Sequence, residues 1–242
     1  MKNIKSSIAL AASAFVAGCT LVCGKHSCEP AWKDLVEGRL ESSADFEAGV
    51  WTFSDGVLTA SKDSALWFKG DYSHFALDLE YKLDPAANSG VIIYTSDVKN
   101  WIPNSVEVQL LDDYADKWKN DPPRLKNGGL YGHVGPEKSC GKPAGEWNHM
   151  TIYARGDRVK VVVNGVVTVE DDLSRYTSAK TNPDGTPIQP WLSKPLAGLP
   201  KHGAIGLHLP GCPAKIQDNG ANNSANILKH LLLSFPRNIG VR

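Results

Sequence analysis

Over most of the chain's middle, apolar and polar residues alternate with period two, and turn-forming residues break the alternation about every eight to twelve positions. In HFALDLEYKL, Phe75, Leu77, Leu79, Tyr81 and Leu83 fall on one side and Asp78, Glu80 and Lys82 on the other, as in a strand with one buried face. HMTIYARGDRVKVVVNGVVTVED predicts a three-stranded meander turning at Gly156-Asp157 and Asn164-Gly165, because Asn-Gly accepts the positive φ angles of a type I′ turn. VWTFSDGVLTA predicts a hairpin about Asp55-Gly56, SGVIIYT a buried strand, and GAIGLHL and the terminal RNIGVR further short strands. The chain shows no fixed-period repeat and no long amphipathic helix. Two long connections, 112–146 and 174–203, stand out, the second with five prolines. Loops of that length in a compact domain carry function or are disordered. The pattern predicts an all-β single domain with long loops, a two-sheet antiparallel sandwich of jelly-roll type.

One strand carries a chemical contradiction. In VEVQLL, Val106, Val108 and Leu110 make an apolar face, while Glu107 and Gln109 put a carboxylate beside an amide on the other. NSG at 88–90 likewise sets Asn88 against an apolar strand. Polar side chains converging on one face of a sandwich suit a sugar, whose hydroxyls need donors and acceptors; a solvated edge strand would look the same in isolation. His208 alternates with Leu207 and Leu209 and so faces away from them, onto the same polar face as Glu107. His133 lies in a Gly-rich loop, where a lone histidine is more often structural or surface than catalytic. Trp101 and Trp191 fall in loops and are candidate stacking platforms, whereas Trp147 opens a strand and reads as core. Glu107 and Gln109 are not the carboxylate pair of ordinary glycoside hydrolysis, although Asp112 or Asp113 could supply a second acid.

Charge narrows the classes. The 26 basic and 26 acidic residues balance, which argues against nucleic acid as a partner. No Gly-x-Ser-x-Gly, phosphate-cradling loop, His-Glu-x-x-His or calcium loop is present. The N-terminus changes the picture more. Lys2 and Lys5 precede an apolar run from Ile8 to Ala17 and then VAGC, which resembles a bacterial lipobox with Cys19 as the lipidated residue. This predicts a signal peptide over 1–18, a tether over 19–31 and the folded domain over 32–242. It implies a cell-envelope protein whose membrane contact is the lipid on Cys19, and Thr20 in place of Asp points to the outer membrane. The remaining Cys23, Cys28, Cys140 and Cys212 are even in number, and in an exported chain they read as disulfides with three possible pairings.

The ordered set YSHFALDLEYKLDPAANSGVIIY, VEVQLLDD, GGLYG, KPAGEWNHMTIYARGDRVKVVVNG and KHGAIGLH resembles the 3-keto-disaccharide hydrolase family. The resemblance runs from about Trp32 to His208. The end of the chain departs from the family pattern: IGLH is followed by a long insertion, 209–236, before RNIGVR, and His208 stands where the family more often has Gln. The resemblance implies a concanavalin A-like jelly roll acting on glycosides whose glucose ring is a ketone at C3. It further implies a divalent metal cation, with Glu107, Gln109 and His208 as ligands and Glu107 or His208 as base. Asn88, Gln109, Tyr131 and Asn148 would contact substrate, with Trp101 and Trp191 beside them; Tyr131 and Asn148 fall in LYG and WN pieces that also suit scaffold roles. A non-catalytic carbohydrate-binding lipoprotein of lectin-like fold is the alternative, and a structural envelope lipoprotein a third.

Overall fold

The computed structural model describes residues 32–209 and 227–234. Cys19, Cys23, Cys28, Cys212, the leader, the tether and RNIGVR lie outside the described residues. Helix is almost absent among those described: one four-residue turn, Leu40–Ser43, and a few 3-10 segments.

Thirteen strands follow in chain order: β1 Lys33–Asp34, β2 Ala44–Phe46, β3 Trp51–Ser54, β4 Val57–Ala60, β5 Ser64–Tyr72, β6 His74–Lys82, β7 Asn88–Thr95, β8 Val106–Leu111, β9 Trp147–Arg155, β10 Arg158–Val163, β11 Val166–Asp172, β12 Gly203–Leu209 and β13 Ile227–Ser234. All pair antiparallel, in two sheets. The first runs β11-β10-β9-β6-β13-β4-β3, with β1 also on β13, and the second runs β2-β5-β12-β7-β8. This is the two-sheet jelly-roll sandwich that the alternation predicts.

The predicted turns are where the sequence puts them. Asp55 (φ 52°) and Gly56 (φ 74°) join β3 to β4, and Asn164 (φ 50°) and Gly165 (φ 81°) join β10 to β11. Both central residues are left-handed, so the turn twists with its strands.

Phe75, Leu77, Leu79 and Tyr81 of β6 face Val91 and Ile93 of β7, Val106, Val108 and Leu110 of β8, and Ile205 and Leu207 of β12 across one core. Each such side chain contributes roughly 1.5–3 kcal/mol by leaving water. The polar partners on β7, β8 and β12 therefore point off the second sheet's outer face.

One reading needs correction. Trp147 is not core: it is half-buried, with the Lys82 ammonium 5.3 Å from its ring centroid. The insertion 209–236, to which the sequence assigns no role, supplies β13, which lies between β6 and β4 in the first sheet. LLLS and its neighbours alternate poorly, which hides this strand from a period-two search.

Candidate functional site

The site rests on two rows of residues across the second sheet. His208, Gly90 and Gln109 stand abreast on β12, β7 and β8; Gly206, Ile92 and Glu107 form the next row on the same face. Glycines stand where two of these strands cross the rows, and side-chain space requires them. A Cβ on Gly90 would lie 2.0 Å from Glu107 Oε1, and one on Gly206 would lie 2.4 Å from the Trp67 ring. The glycines thus open the hollow in which the Glu107 carboxylate lies flat, its side chain only 14% exposed.

Around that carboxylate the polar groups converge. His208 Nδ1 lies 3.6 Å from Glu107 Oε1, and His208 Nε2 lies 3.5 Å from Asp63 Oδ1. Gln109 Nε2 donates to Asn88 Oδ1 at 3.0 Å, which leaves Gln109 Oε1 and the Asn88 amide nitrogen for other partners. The Trp101 ring leans on the His208 imidazole, 4.8 Å between centroids, and on Trp67 at 6.1 Å.

Both long connections roof this floor. Residues 128–131 pair along the free edge of β8: Gln109 N–H donates to the Gly129 carbonyl at 2.9 Å, and Tyr131 N–H to the Glu107 carbonyl at 2.9 Å. That pairing lays Tyr131 beside Glu107. Burial, and next the Glu107 charge, raise the Tyr131 phenol above its ordinary pKa, so it keeps its proton. The second connection brings Trp191, 53% exposed, together with Leu192 and Leu196. Lys194 Nζ donates to Asn104 Oδ1 at 2.6 Å and ties this loop to the Trp101 segment. The cavity between floor and loops measures about 140 Å³.

Seven of the eight side chains picked from sequence for substrate, base or metal line this cavity: Asn88, Trp101, Glu107, Gln109, Tyr131, Trp191 and His208. Asn148 does not. It is buried on β9, where its Oδ1 accepts from Lys142 N–H and Asn164 Nδ2, both at 2.8 Å, and holds the β10–β11 turn. The scaffold role of the WN piece is the one the geometry carries. Asp112 and Asp113 are also loop ties: Asp112 accepts from Ala86 N–H at 2.8 Å, and Asp113 from Asn127 N–H and Ser139 Oγ. Cys140, the one described cysteine, donates to the Lys138 carbonyl, and its candidate disulfide partners are outside the described residues.

Sequence reading missed Asp63, which meets His208 only through the β5–β12 pairing, and the cavity-lining Ile102, Leu192 and Leu196, which look like ordinary loop apolars. It set His133 aside, yet His133 also lines the cavity.

Could these residues hold a divalent cation? Among the described residues no three His, Cys, Asp or Glu side chains cluster at metal-binding distance. However, His208 Nδ1 is buried with no hydrogen-bond partner, and it faces a carboxylate oxygen. If Nε2–H turns to Asp63, two lone-pair groups oppose each other at 3.6 Å, an arrangement that calls for a positive charge. With metal–ligand bonds of about 2.0–2.2 Å, Glu107 and His208 fit one cation, and Gln109 Oε1 is the free neutral ligand beside them.

The family described as the 3-keto-alpha-glucoside-1,2-lyase-like domain matches residues 31–218. Among solved structures, a protein from Parabacteroides distasonis ATCC 8503 described as a candidate glycosyl hydrolase is 40% identical, with 85% of this chain and 100% of that chain covered and a TM-score of 0.76. Two more candidate glycosyl hydrolases from the same organism share the fold. One is 18% identical, with TM-score 0.65 over 85% of this chain and 94% of that one; the other is 20% identical, with TM-score 0.55 over 85% and 84%. None of the curated proteins matches the chain. The chain is a carbohydrate-active, glycoside hydrolase-like sandwich, and it belongs to the 3-keto-alpha-glucoside-1,2-lyase-like domain family.

Proposed function

We propose that this protein cleaves 3-keto-glycosides by removing the C2 proton and eliminating the C1 substituent. The observation that carries the reading is a single cavity carboxylate, Glu107, facing an imidazole at 3.6 Å. Ordinary glycoside hydrolysis uses two carboxyl groups on either side of the bond, and among the described residues the cavity has one. A C3 ketone changes the requirement. It acidifies the hydrogen on C2, so one carboxylate suffices as base.

Glu107 takes the C2 proton, the C2–C1 double bond forms, and the C1–O bond breaks with its electron pair leaving on the aglycone oxygen. Tyr131, held protonated, donates to a substrate oxygen; the Asn88 amide nitrogen donates to a second. Trp101 and Trp191 cover the bound ring and exclude water. Hydration of the unsaturated sugar is a separate, later step that leaves the cleavage unchanged. Glu107, His208 and Gln109 would hold a divalent cation, which when bound supplies charge stabilisation to the enolate oxygens. We extend the proposal to the envelope: Cys19 carries lipid, and a Cys19→Ala chain should move from the membrane to the soluble fraction.

The test is release of aglycone from a chromogenic 3-keto-glucoside, with and without a chelator. Glu107→Gln should lower turnover by about a thousandfold while oligosaccharide or glycoside binding persists. Wild-type turnover in that variant removes the base. A protein that binds glycosides but releases nothing, in metal-replete buffer, is instead the carbohydrate-binding module that the exposed Trp191 would also serve.

A further inference from the structure

The elimination gives no task to His133, although this residue is buried against the cavity. Its surroundings fix its tautomer. Asn182 Nδ2 donates to the Gly132 carbonyl at 3.0 Å and to Thr186 Oγ1 at 3.1 Å. A carbonyl can only accept, so the Asn182 amide cannot be turned over, and its Oδ1 is the atom that meets His133 Nδ1 at 3.0 Å. Oδ1 can only accept in turn. Nδ1 therefore carries the proton, and Nε2 carries the lone pair.

The ring is held in that pose from a second side. Tyr176 packs edge-on against it, 5.4 Å between centroids at 80°, and the Tyr176 hydroxyl is itself engaged by Asp171. Burial lowers the His133 pKa below the ordinary value, so the imidazole stays neutral at pH 7. Among the described residues Nε2 has no hydrogen-bond partner, and it is not one of the sealed, unsatisfied atoms. With Nδ1 turned to Asn182, it is the ring nitrogen left to the cavity.

Resting on the reading of this cavity as a 3-keto-glycoside site, we infer that His133 is a specificity-determining residue whose Nε2 accepts a hydrogen bond from one sugar hydroxyl. A fixed neutral acceptor welcomes an O–H and rejects an oxygen that has no proton, because two lone pairs would then meet in a buried place. The C3 ketone accordingly lies away from His133, and a hydroxyl of the oxidised ring faces it. The residue thus reads the orientation of the sugar: only one way round puts the ketone clear of Nε2 and a hydroxyl against it.

The experiment measures kcat and KM for wild type and His133→Phe on a 3-keto-glucoside and on its 4-deoxy and 6-deoxy analogues. In wild type, one analogue should lose about tenfold in kcat/KM against the parent, mostly through KM; in His133→Phe that analogue should equal the parent. The same wild-type-to-variant ratio on all three substrates overturns the inference and leaves the function standing. No turnover of any 3-keto-glucoside by wild type removes the function instead. Long-range proton–nitrogen NMR on histidine-labelled wild type, needing no substitution, provides the independent check. His133 should show the Nδ1–H tautomer at pH 7, and an Nε2–H or doubly protonated ring overturns the assignment.

Discussion

Gly90→Ala separates the site from the scaffold in one methyl group. The new Cβ would lie 2.0 Å from Glu107 Oε1, 2.6 Å from its Cγ and 2.7 Å from its Cδ, whereas ordinary contact begins near 3.4 Å. Something must yield by more than an ångström. The strand cannot, because β7 is hydrogen-bonded to β12 on one side and β8 on the other. Gly90 has no left-handed φ, so alanine suits its backbone. The Glu107 side chain is what moves, away from His208 Nδ1 and off the floor. Displacing a reacting group by about 1 Å costs on the order of a hundredfold, equal to about 2.7 kcal/mol of barrier. Stability should change little: restricting the unfolded chain contributes about 0.4–1 kcal/mol in alanine's favour, which offsets part of the repacking. The assay pairs kcat/KM on a chromogenic 3-keto-glucoside with a thermal melt. Activity within threefold of wild type, in a variant with an unchanged melt, would refute the idea that the carboxylate's position over Gly90 matters to the chemistry.

Three further outcomes follow from other parts of the structure. Trp191→Ala should raise KM by about tenfold and leave the melt unchanged, because the ring is half-exposed at the cavity mouth and little core depends on it; a melt shifted by several degrees would mark it as scaffold. Tyr81→Phe should cost about 1–2 kcal/mol, read as a few degrees in Tm, with activity intact. The buried Tyr81 hydroxyl accepts from Asn127 Nδ2 at 2.7 Å, and phenylalanine leaves that donor unsatisfied. His133 sets a pH effect on stability. Its folded pKa is depressed by burial, so its contribution is complete above the ordinary 6.5 and is lost as pH falls towards the folded value, where the unfolded chain takes a proton that the buried ring resists. Urea midpoints should therefore drop between pH 7.5 and 5.5, and His133→Gln should shallow that drop; an equal slope in both proteins would show that other groups govern it.

What the sequence discloses here depends on how local the cause is. Period two in VEVQLL and GAIGLHL places Glu107, Gln109 and His208 on one face, because strand geometry alone decides which side a residue takes. The left-handed turns at Asp55-Gly56 and Asn164-Gly165 are equally local. The two long connections could be marked as functional by length, but not assigned contents: Tyr131 reaches Glu107 only because residues 128–131 pair with the edge of β8. For Asn148 the sequence leaves substrate contact and scaffold both open, because WN, as a motif, does not reveal that its Oδ1 accepts from Lys142 and Asn164.

His133 shows the same limit from the other side. In GGLYGH nothing distinguishes it from a surface histidine; its tautomer is dictated by Asn182, 49 residues later, whose amide is in turn oriented by Gly132, the residue immediately before His133. One loop thus supplies both the imidazole and the carbonyl that orients its partner, and the second loop supplies the amide between them. Shifting either loop alone breaks the Gly132–Asn182–His133 chain at one of its two links. The acceptor on the cavity wall is consequently a property of the pair of loops docked together, whereas the Glu107 floor is a property of the sheet. Substitutions in the sheet should therefore abolish cleavage, while substitutions between the loops should change which sugar, or which way round a sugar, is cleaved.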